Sequence, residues 1–238
     1  MRDEIGMARK TAKINVVPQA ILETASNLFI RRGYEGTTMQ DIALELGISR
    51  SALYYYFKNK EEILASLTEG LTIAAQQLAS QVVEQGKAPE EALRELVHQH
   101  ARLILFRPVQ FRVVERAEGS LPEAQQKIAE SARRILLQKF TEVIQRGIDN
   151  GRFRLVNAKM AAFAIIGMCN WTAWWFKADG AKSAEEVAEM LADFSLHALE
   201  RGEVKKGMKV GVDESLRMLE ENLSQLKEVI DSQGRIRQ

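Results

Sequence analysis

Between Thr37 and Lys60 the chain concentrates side chains whose chemistry suits contact with nucleic acid. A guanidinium such as that of Arg50 can donate two parallel hydrogen bonds to O6 and N7 of guanine, and serine hydroxyls can serve either base or phosphate. Tyrosines offer a hydroxyl to phosphate and a ring to the thymine methyl group. Helical spacing predicts that one face presents these side chains together, namely Ser49, Arg50, Ser51, Tyr54 and Tyr55.

Two short helices joined by a tight turn would position this face. Ala43 is the small residue that a close helix crossing needs, and Gly47 tolerates the left-handed backbone of the turn. This pattern is typical of a helix-turn-helix, whose second helix lies in the major groove of DNA. The alternative is a structural bundle in which Tyr54, Tyr55 and Tyr56 only pack. The apolar residues predicted to join the two helices are Ile42, Leu46, Ile48, Leu53 and Phe57.

Both flanks of the unit add polar groups. Thr38 and Asp41 have the spacing of a capping box, and the Thr38 hydroxyl with the free amides of a helix N-terminus suits a phosphate. Lys60 begins the next helix and is placed for the DNA backbone on the other side.

Residues 18–64 resemble the DNA-binding domain of the TetR family of bacterial transcriptional regulators. One departure is Tyr56, where the family usually has His; both side chains can donate to a phosphate. The motifs that carry the resemblance are Leu28-Phe29, Gly33-Tyr34, Thr37-Thr38, Ile42-Ala43, Gly47-Ile48-Ser49 and the run from Leu53 to Lys60.

The resemblance implies functions for individual residues of this unit. It implies phosphate contacts for Thr38, Tyr54, Tyr56 and Lys60. It implies base contacts for Gln40, Arg50, Ser51 and Tyr55. It further implies a homodimer on a double-stranded, pseudo-palindromic operator, a ligand pocket in the body, and most often repression. A dimer also follows physically, because one recognition helix covers too few base pairs for useful specificity.

Composition agrees with an all-α protein. Of the 238 residues 46% are hydrophobic, and the apolar residues recur mostly at helical spacing. The net charge is only +1, but residues 9–60 hold eight Lys and Arg against four acidic residues, which favours local phosphate binding. Cys169 is the single cysteine, so no intrachain disulfide can form; a reducing, cytoplasmic location is expected. Met160–Phe176 is apolar but short, which favours a buried helix and no membrane partner.

Four segments are expected along the chain. They are a flexible basic leader (residues 1–15), a three-helix helix-turn-helix domain (16–62), a helical ligand-binding and dimerisation domain (63–202), and a linker with an extra helix (203–238). That last helix, at 213–231, spaces Leu216, Leu219, Leu223, Leu226 and Ile230 as two heptads. We expect it to pack on the dimer or, alternatively, on its own subunit. A single long helix is predicted for Lys60–Glu84.

The body carries a dense aromatic cluster that includes all three tryptophans. Gly167 to Trp171 resembles a segment of family members that respond to acyl-CoA thioesters, which would make the effector a small hydrophobic molecule and, more narrowly, an acyl-CoA thioester. Packing at an interface is the alternative for each aromatic residue. The candidate effector-binding residues are Phe106, Phe111, Phe140, Phe163, Met168, Asn170, Trp171 and Trp174. The candidate cations for the phosphates, or else solvated surface residues, are Arg102, Arg107, Arg112, Arg133 and Arg134.

Other chemistry finds little support in the sequence. His98 and His100 lie about 200° apart around a helix, so they cannot share a metal ion, and no metal site or cofactor is predicted. An enzyme is disfavoured because no nucleophile elbow, phosphate loop or paired carboxylates are present. A non-specific architectural DNA-binding protein is the other alternative, and the balanced overall charge disfavours it.

Overall fold

The computed structural model describes residues 18–201, 216–217 and 219–224. Ten α-helices form between residues 18 and 201, and the backbone pairing described outside them is a single antiparallel bridge between Phe153 and Glu200. The all-α prediction is therefore confirmed. The helices are α1 (18–32), α2 (Met39–Leu46), α3 (Arg50–Tyr56), α4 (Lys60–Thr68), α5 (Ala74–Glu84), α6 (Pro89–Leu105), α7 (Pro108–Ala117), α8 (Glu123–Asp149), α9 (Ala158–Trp175) and α10 (Ala184–Leu199).

Helices α1 to α3 form the head, and turns with left-handed glycines separate them. Gly33 ends α1 at φ 78°, and Gly47 follows α2 at φ 71°, a conformation that residues with a Cβ rarely adopt. The N-H of Gly47 donates to carbonyls of the last turn of α2, which fixes the sharp change of direction before α3. The head core contains Ile21, Ala25, Leu28, Phe29, Ile42, Ala43, Leu53 and Phe57, with Leu46 and Ile48 partly buried beside it.

The predicted single helix Lys60–Glu84 is interrupted by one wide turn, Glu69–Ile73, between α4 and α5. In this turn the amide of Ala74 donates to the carbonyl of Glu69, five residues earlier instead of four. The carbonyl of Gly70 accepts a hydrogen bond from Nη1 of Arg107 at 3.1 Å. The guanidinium thus ties the wide turn to the corner between α6 and α7.

The body is built around α6, which packs against α5, α8, α9 and α10. Near the end of α8, the packing of the body requires a glycine at position 147. A Cβ on Gly147 would lie 2.1 Å from the ring of Phe153, so only glycine lets this fully buried phenylalanine fold back onto α8. The amide of Phe153 donates to the carbonyl of Gly147 at 3.0 Å, which closes the same turn.

A row of ion pairs joins α6 to α10. Arg94 contacts both Glu189 and Asp193. His98 Nε2 lies 3.1 Å from a Glu185 oxygen, and Nε of Arg102 lies 2.8 Å from the other oxygen of Glu185. Arg94, His98 and Arg102, spaced four residues apart on α6, therefore face carboxylates spaced four residues apart on α10.

Several predictions fall at the edge of the described residues. The leader, residues 1–15, lies outside them. Of the predicted final helix, residues 216–217 and 219–224 are described, and they are helical with Leu216, Leu219 and Leu223 exposed. The predicted boundary at residue 62 falls inside α4. None of the described helices has the length and apolar composition needed to cross a membrane.

Candidate functional site

The outward face of α3 leaves its longest side chains in solvent. Tyr55 is 81% exposed and Tyr54 44% exposed, because Leu53 and Phe57 take the buried side of the helix. Within the described residues, Gln40, Arg50, Tyr54 and Tyr55 make no hydrogen bond or ion pair. The Tyr55 ring meets Tyr56 edge-on, with 5.0 Å between centroids. This face therefore presents free donors and aromatic surface.

Other residues that were also predicted to contact DNA already have hydrogen-bond partners within the head, namely Thr38, Ser49, Ser51 and Lys60. Ser49 caps α3, where its Oγ accepts from the amide of Ala52 at 3.1 Å and lies 3.0 Å from Oγ of Ser51. Lys60 Nζ donates to the carbonyl of Tyr34 at 2.9 Å and lies 4.4 Å from the centre of the Tyr34 ring. Lys60 is thus held against the head, at the N-terminus of α4.

Thr38 and Asp41 form the predicted capping box. The Thr38 hydroxyl accepts from the amide of Asp41 at 3.2 Å and donates to the Asp41 carboxylate at 2.6 Å. The Thr38 amide donates to the same carboxylate at 2.9 Å. These bonds to the Thr38 side chain and backbone hold the pKa of Asp41 below its ordinary value, and Arg32 adds to the effect. The start of α2 is therefore fixed before any DNA is present.

A cavity of about 420 Å³ lies between the wide turn, α5, α6, α7, α8 and α9. Most of its wall is aliphatic or aromatic, as in sites that bind small hydrophobic molecules. Leu71 and Thr72 of the wide turn form part of the wall. The other residues that line it are Ala75, His100, Leu103, Ile104, Phe111, Glu115, Glu130, Arg133, Arg134, Leu136, Leu137, Phe163, Ile166, Gly167 and Asn170.

Three of the eight residues predicted to bind an effector line this cavity: Phe111, Phe163 and Asn170. Phe163, Ile166, Gly167 and Asn170 share one face of α9, because their spacing is three, four and seven residues. The structure does not bring the other five to the wall.

Helical position explains where those five lie. Phe106 is 60% exposed beyond the end of α6, and Trp171 is 63% exposed, one residue around α9 from Asn170. Trp174 stacks on Trp171. It does not line the cavity but forms a T-shaped contact with Phe111, which does, with 5.8 Å between the two ring centroids. Phe140 is fully buried behind His100, and Met168 packs against the core.

Of the polar wall residues, the sequence indicated Asn170, Arg133 and Arg134 but not Thr72, His100, Glu115 or Glu130. His100 Nε2 lies 3.0 Å from Oδ1 of Asn170. Burial lowers the pKa of His100 to about 4, although the bond with Asn170 opposes this. His100 therefore stays neutral near pH 7. The sequence did not reveal this residue, because a histidine on the apolar side of an amphipathic helix can lie equally well in a core or in a cavity wall.

Both arginines at the cavity wall pair with carboxylates, whereas Glu115 makes no ion pair among the described residues. Arg133 makes a two-pronged contact with Glu118, in which Nη2 and Oε1 are 2.7 Å apart. Arg134 lies 2.8 Å from Glu130. Burial raises the pKa of Glu115, Arg133 opposes this rise, and Glu118 adds to it. The two wall arginines thus already have carboxylate partners.

The predicted cations outside the wall are also engaged. Arg102 pairs with Glu185, Arg107 binds the Gly70 carbonyl, and Arg112 donates to the carbonyl of Ala173 at 3.1 Å.

Among the described residues, nothing covers a broad apolar face on α9 and α10. Such a face on one chain usually marks an association surface. Its exposed large residues are Met160, Phe163, Trp171, Trp174, Trp175, Met190 and Phe194.

The described residues contain no group of three or more metal-ligating side chains. Burial raises the pKa of the Cys169 thiol to about 12, so this cysteine is an unreactive core residue.

Comparison with known proteins covers both halves of the chain. A family described as "Bacterial regulatory proteins, tetR family" matches residues 21–67, and "Tetracyclin repressor-like, C-terminal domain" matches residues 86–199. The HTH-type transcriptional repressor KstR2 of Mycobacterium tuberculosis is 26% identical over 77% of this chain and 92% of its own length.

Two solved structures are similar in sequence and in fold. The TetR-family transcriptional regulator PfmR from Thermus thermophilus is 35% identical, with a TM-score of 0.66 over 76% of this chain and 99% of that one. AibR in complex with isovaleryl coenzyme A and operator DNA is 28% identical, with a TM-score of 0.60 over 77% of this chain and 97% of that one.

Proposed function

This chain belongs to the TetR family of bacterial regulatory proteins, and from that premise we propose that it is a repressor released from its operator by a small hydrophobic effector. It is a DNA-binding transcriptional regulator and not an enzyme. The observation that carries the proposal is that α4 and the wide turn after it connect the head to the cavity wall. The wide turn that forms part of the cavity wall continues directly into α4, whose first residue, Lys60, packs against the head.

In the proposed complex with DNA, three of the side chains that make no hydrogen bond or ion pair among the described residues read the bases. Arg50 and Tyr55 enter the major groove from α3, and Gln40 reaches it from α2. Ser51 assists them, while Tyr54, Tyr56, Thr38, Ser49 and Lys60 contact the backbone. Because Thr38, Ser49 and Lys60 are already fixed by bonds within the head, their phosphate contacts require little ordering of side chains.

The proposed oligomer is a homodimer on a pseudo-palindromic site. The apolar face of α9 and α10 provides its surface, because two such faces brought together form a four-helix bundle. Two-fold symmetry then places two α3 helices on half-sites about 34–36 Å apart. By this proposal residues 16–62 are the DNA-binding domain, and residues 63–202 are the ligand-binding and dimerisation domain.

The proposed effector is an acyl-CoA thioester. The likeness to AibR, which was solved with isovaleryl coenzyme A, supports this class, and the apolar wall suits an acyl chain. Ligand in the cavity favours an arrangement of the two subunits in which the half-site spacing is wrong, which is a shift between two populations. A tenfold loss of operator affinity needs only about 1.4 kcal/mol of coupling.

The test has two stages and uses the full chain. The operator is first selected from a random duplex library; then thermal unfolding and operator affinity are measured with isovaleryl-, octanoyl- and palmitoyl-CoA. We expect one thioester to raise the unfolding temperature and to weaken operator binding at least about tenfold. Coenzyme A and the free acids are the controls. Stabilisation without loss of operator affinity would contradict release, and equal affinity for all DNA sequences would favour the architectural alternative.

A further inference from the structure

One hydrogen bond joins two helices across an otherwise largely apolar part of the cavity wall. His100 on α6 and Asn170 on α9 both line the cavity, and Nε2 and Oδ1 are 3.0 Å apart. Leu103, Ile104 and Ile166 surround the pair on the same helices. A polar pair in such a wall is the point at which the cavity can distinguish a polar ligand atom from a hydrocarbon.

The direction of this bond is set by the atoms. An amide oxygen can only accept, so Nε2 of His100 carries the hydrogen and donates it. Burial keeps His100 neutral, so it has one ring hydrogen and this bond uses it. The amide of Asn170 is therefore held in one orientation, with its oxygen turned to His100.

The other half of the Asn170 amide is unused. Within the described part of the chain, Nδ2 donates no hydrogen bond, and Asn170 is only partly buried where it lines the cavity. An N-H group covered by an apolar ligand without a partner loses its bond to water, which costs binding free energy. The wall therefore favours a ligand that brings a hydrogen-bond acceptor to this position.

The charged groups at the wall select among acceptors. Glu115 and Glu130 contribute carboxylates, and the arginines beside them already pair with Glu118 and Glu130. A free carboxylate entering the cavity would meet like charges without gaining an unpaired cation. A neutral carbonyl avoids this cost.

We propose that Nδ2 of Asn170 donates a hydrogen bond to the carbonyl oxygen of the effector's acyl group, and that His100 is the positioning residue that orients the amide. The inference deepens the proposed function and rests on it, because it takes the effector to be an acyl thioester. It assigns discrimination between a thioester and a hydrocarbon chain to this one contact.

The experiment compares matched ligands that lack the coenzyme. The probes are N-acetylcysteamine thioesters of isovalerate, octanoate and palmitate, each paired with the thioether in which CH₂ replaces the carbonyl. Calorimetry on the full-length protein measures both affinities. We expect the thioester of the best chain length to bind about tenfold more tightly than its thioether, which corresponds to about 1.4 kcal/mol.

Variants separate the two residues. Asn170→Asp keeps an oxygen for His100 but removes the Nδ2 donor, so this variant should bind the thioester and the thioether with about equal affinity. His100→Gln keeps a side-chain N-H and should retain part of the preference, whereas His100→Leu should lose it. Asn150→Asp, the same change at the exposed end of α8, is the matched control and should behave as wild type.

The outcomes are distinguishable. Equal binding of thioester and thioether by the wild-type protein overturns the role of Asn170 and leaves the proposed effector class standing. That comparison needs no variant, so a folding defect in Asn170→Asp cannot obscure it. If no thioester binds, with or without coenzyme A, the proposed effector class fails and this role fails with it.

Discussion

On the outward face of α3, Arg50 and Tyr55 extend into solvent and have no polar partner in the part of the chain that the structure describes, whereas in the cavity His100 and Asn170 are bonded to each other inside a largely apolar wall. The head can leave its donors free because water satisfies them until DNA replaces it. In the cavity the buried Nε2–H of His100 is bonded to Oδ1 of Asn170, since an unpaired buried donor is costly, while Nδ2 of the partly buried Asn170 has no partner among the described residues. The surface site thus leaves its donors free on single side chains, whereas the enclosed site uses one bonded donor to orient another.

The largest expected effect concerns the exposed face. Replacing Arg50 by Ala removes one bidentate contact per half-site, so a dimer should lose about 3 kcal/mol, or at least about a hundredfold in operator affinity. Titration of operator and random duplexes measures the loss, and calorimetry should find effector binding unchanged. Lys58→Ala removes an exposed charge of the same sign nearby and serves as the control. Equal losses on both duplexes would contradict base reading by Arg50.

The second-largest effect concerns His100, which is bonded to Asn170 in the cavity wall, and it depends on pH. The pKa of His100 is depressed to about 4, so on acidification the unfolded chain takes up the proton near its ordinary pKa while the folded protein resists. Stability from this residue is therefore full above about pH 6.5 and falls by about 2 kcal/mol by pH 5. Urea unfolding at both pH values measures the change. His100→Gln should show a decline smaller by that amount, and an identical decline would refute the assignment.

The same capping motif occurs once in the head and once in the body. Thr38 with Asp41 caps α2, and Ser183 with Glu186 caps α10 in the same way. Thr38→Ala and Ser183→Ala should each cost about 1 kcal/mol of unfolding free energy. Operator binding should weaken only in Thr38→Ala, because its cap positions the head. If Ser183→Ala weakened operator binding equally, the two regions would be coupled through their general stability.

The smallest effect concerns the ion pairs between α6 and α10. Arg94 contacts two carboxylates, but all three side chains are partly exposed. Arg94→Met should therefore cost only about 0.5 kcal/mol at low salt. The difference from wild type should vanish at about 1 M salt, where screening acts within about 3 Å. Because Met retains the unbranched stem, a cost that persists at high salt would mean that the hydrogen bonds of the Arg94 guanidinium stabilise the fold beyond screened charge attraction.

The head could be predicted from sequence because its determinants are local. Thr38, Gly47 and Ser49 act within three or four residues of their own positions, and the face they orient is contiguous. The cavity could be predicted only in part, since residues between Leu71 and Asn170 come from five helices and a turn. Phe111 and Phe163 were anticipated from residue type, and Asn170 from the family resemblance of Gly167 to Trp171. The His100 pair depends on how α6 faces α9, and the wide turn at Glu69–Ile73 depends on tertiary contacts such as that of Arg107.

The row of ion pairs between α6 and α10 repeats every four residues on both helices. Sliding one helix along the other by one repeat would therefore form nearly the same set of pairs. A slide of α10 by four residues, about 6 Å, would bring Arg94, His98 and Arg102 each to the next carboxylate and cost a partner only at the end of the row. Charge therefore holds the two helices together without fixing their register. Small buried residues such as Ala188 and Ala192 offer little obstruction in the middle of α10. The register must be fixed by its larger buried side chains, Val187 near the start and Leu199 at the end.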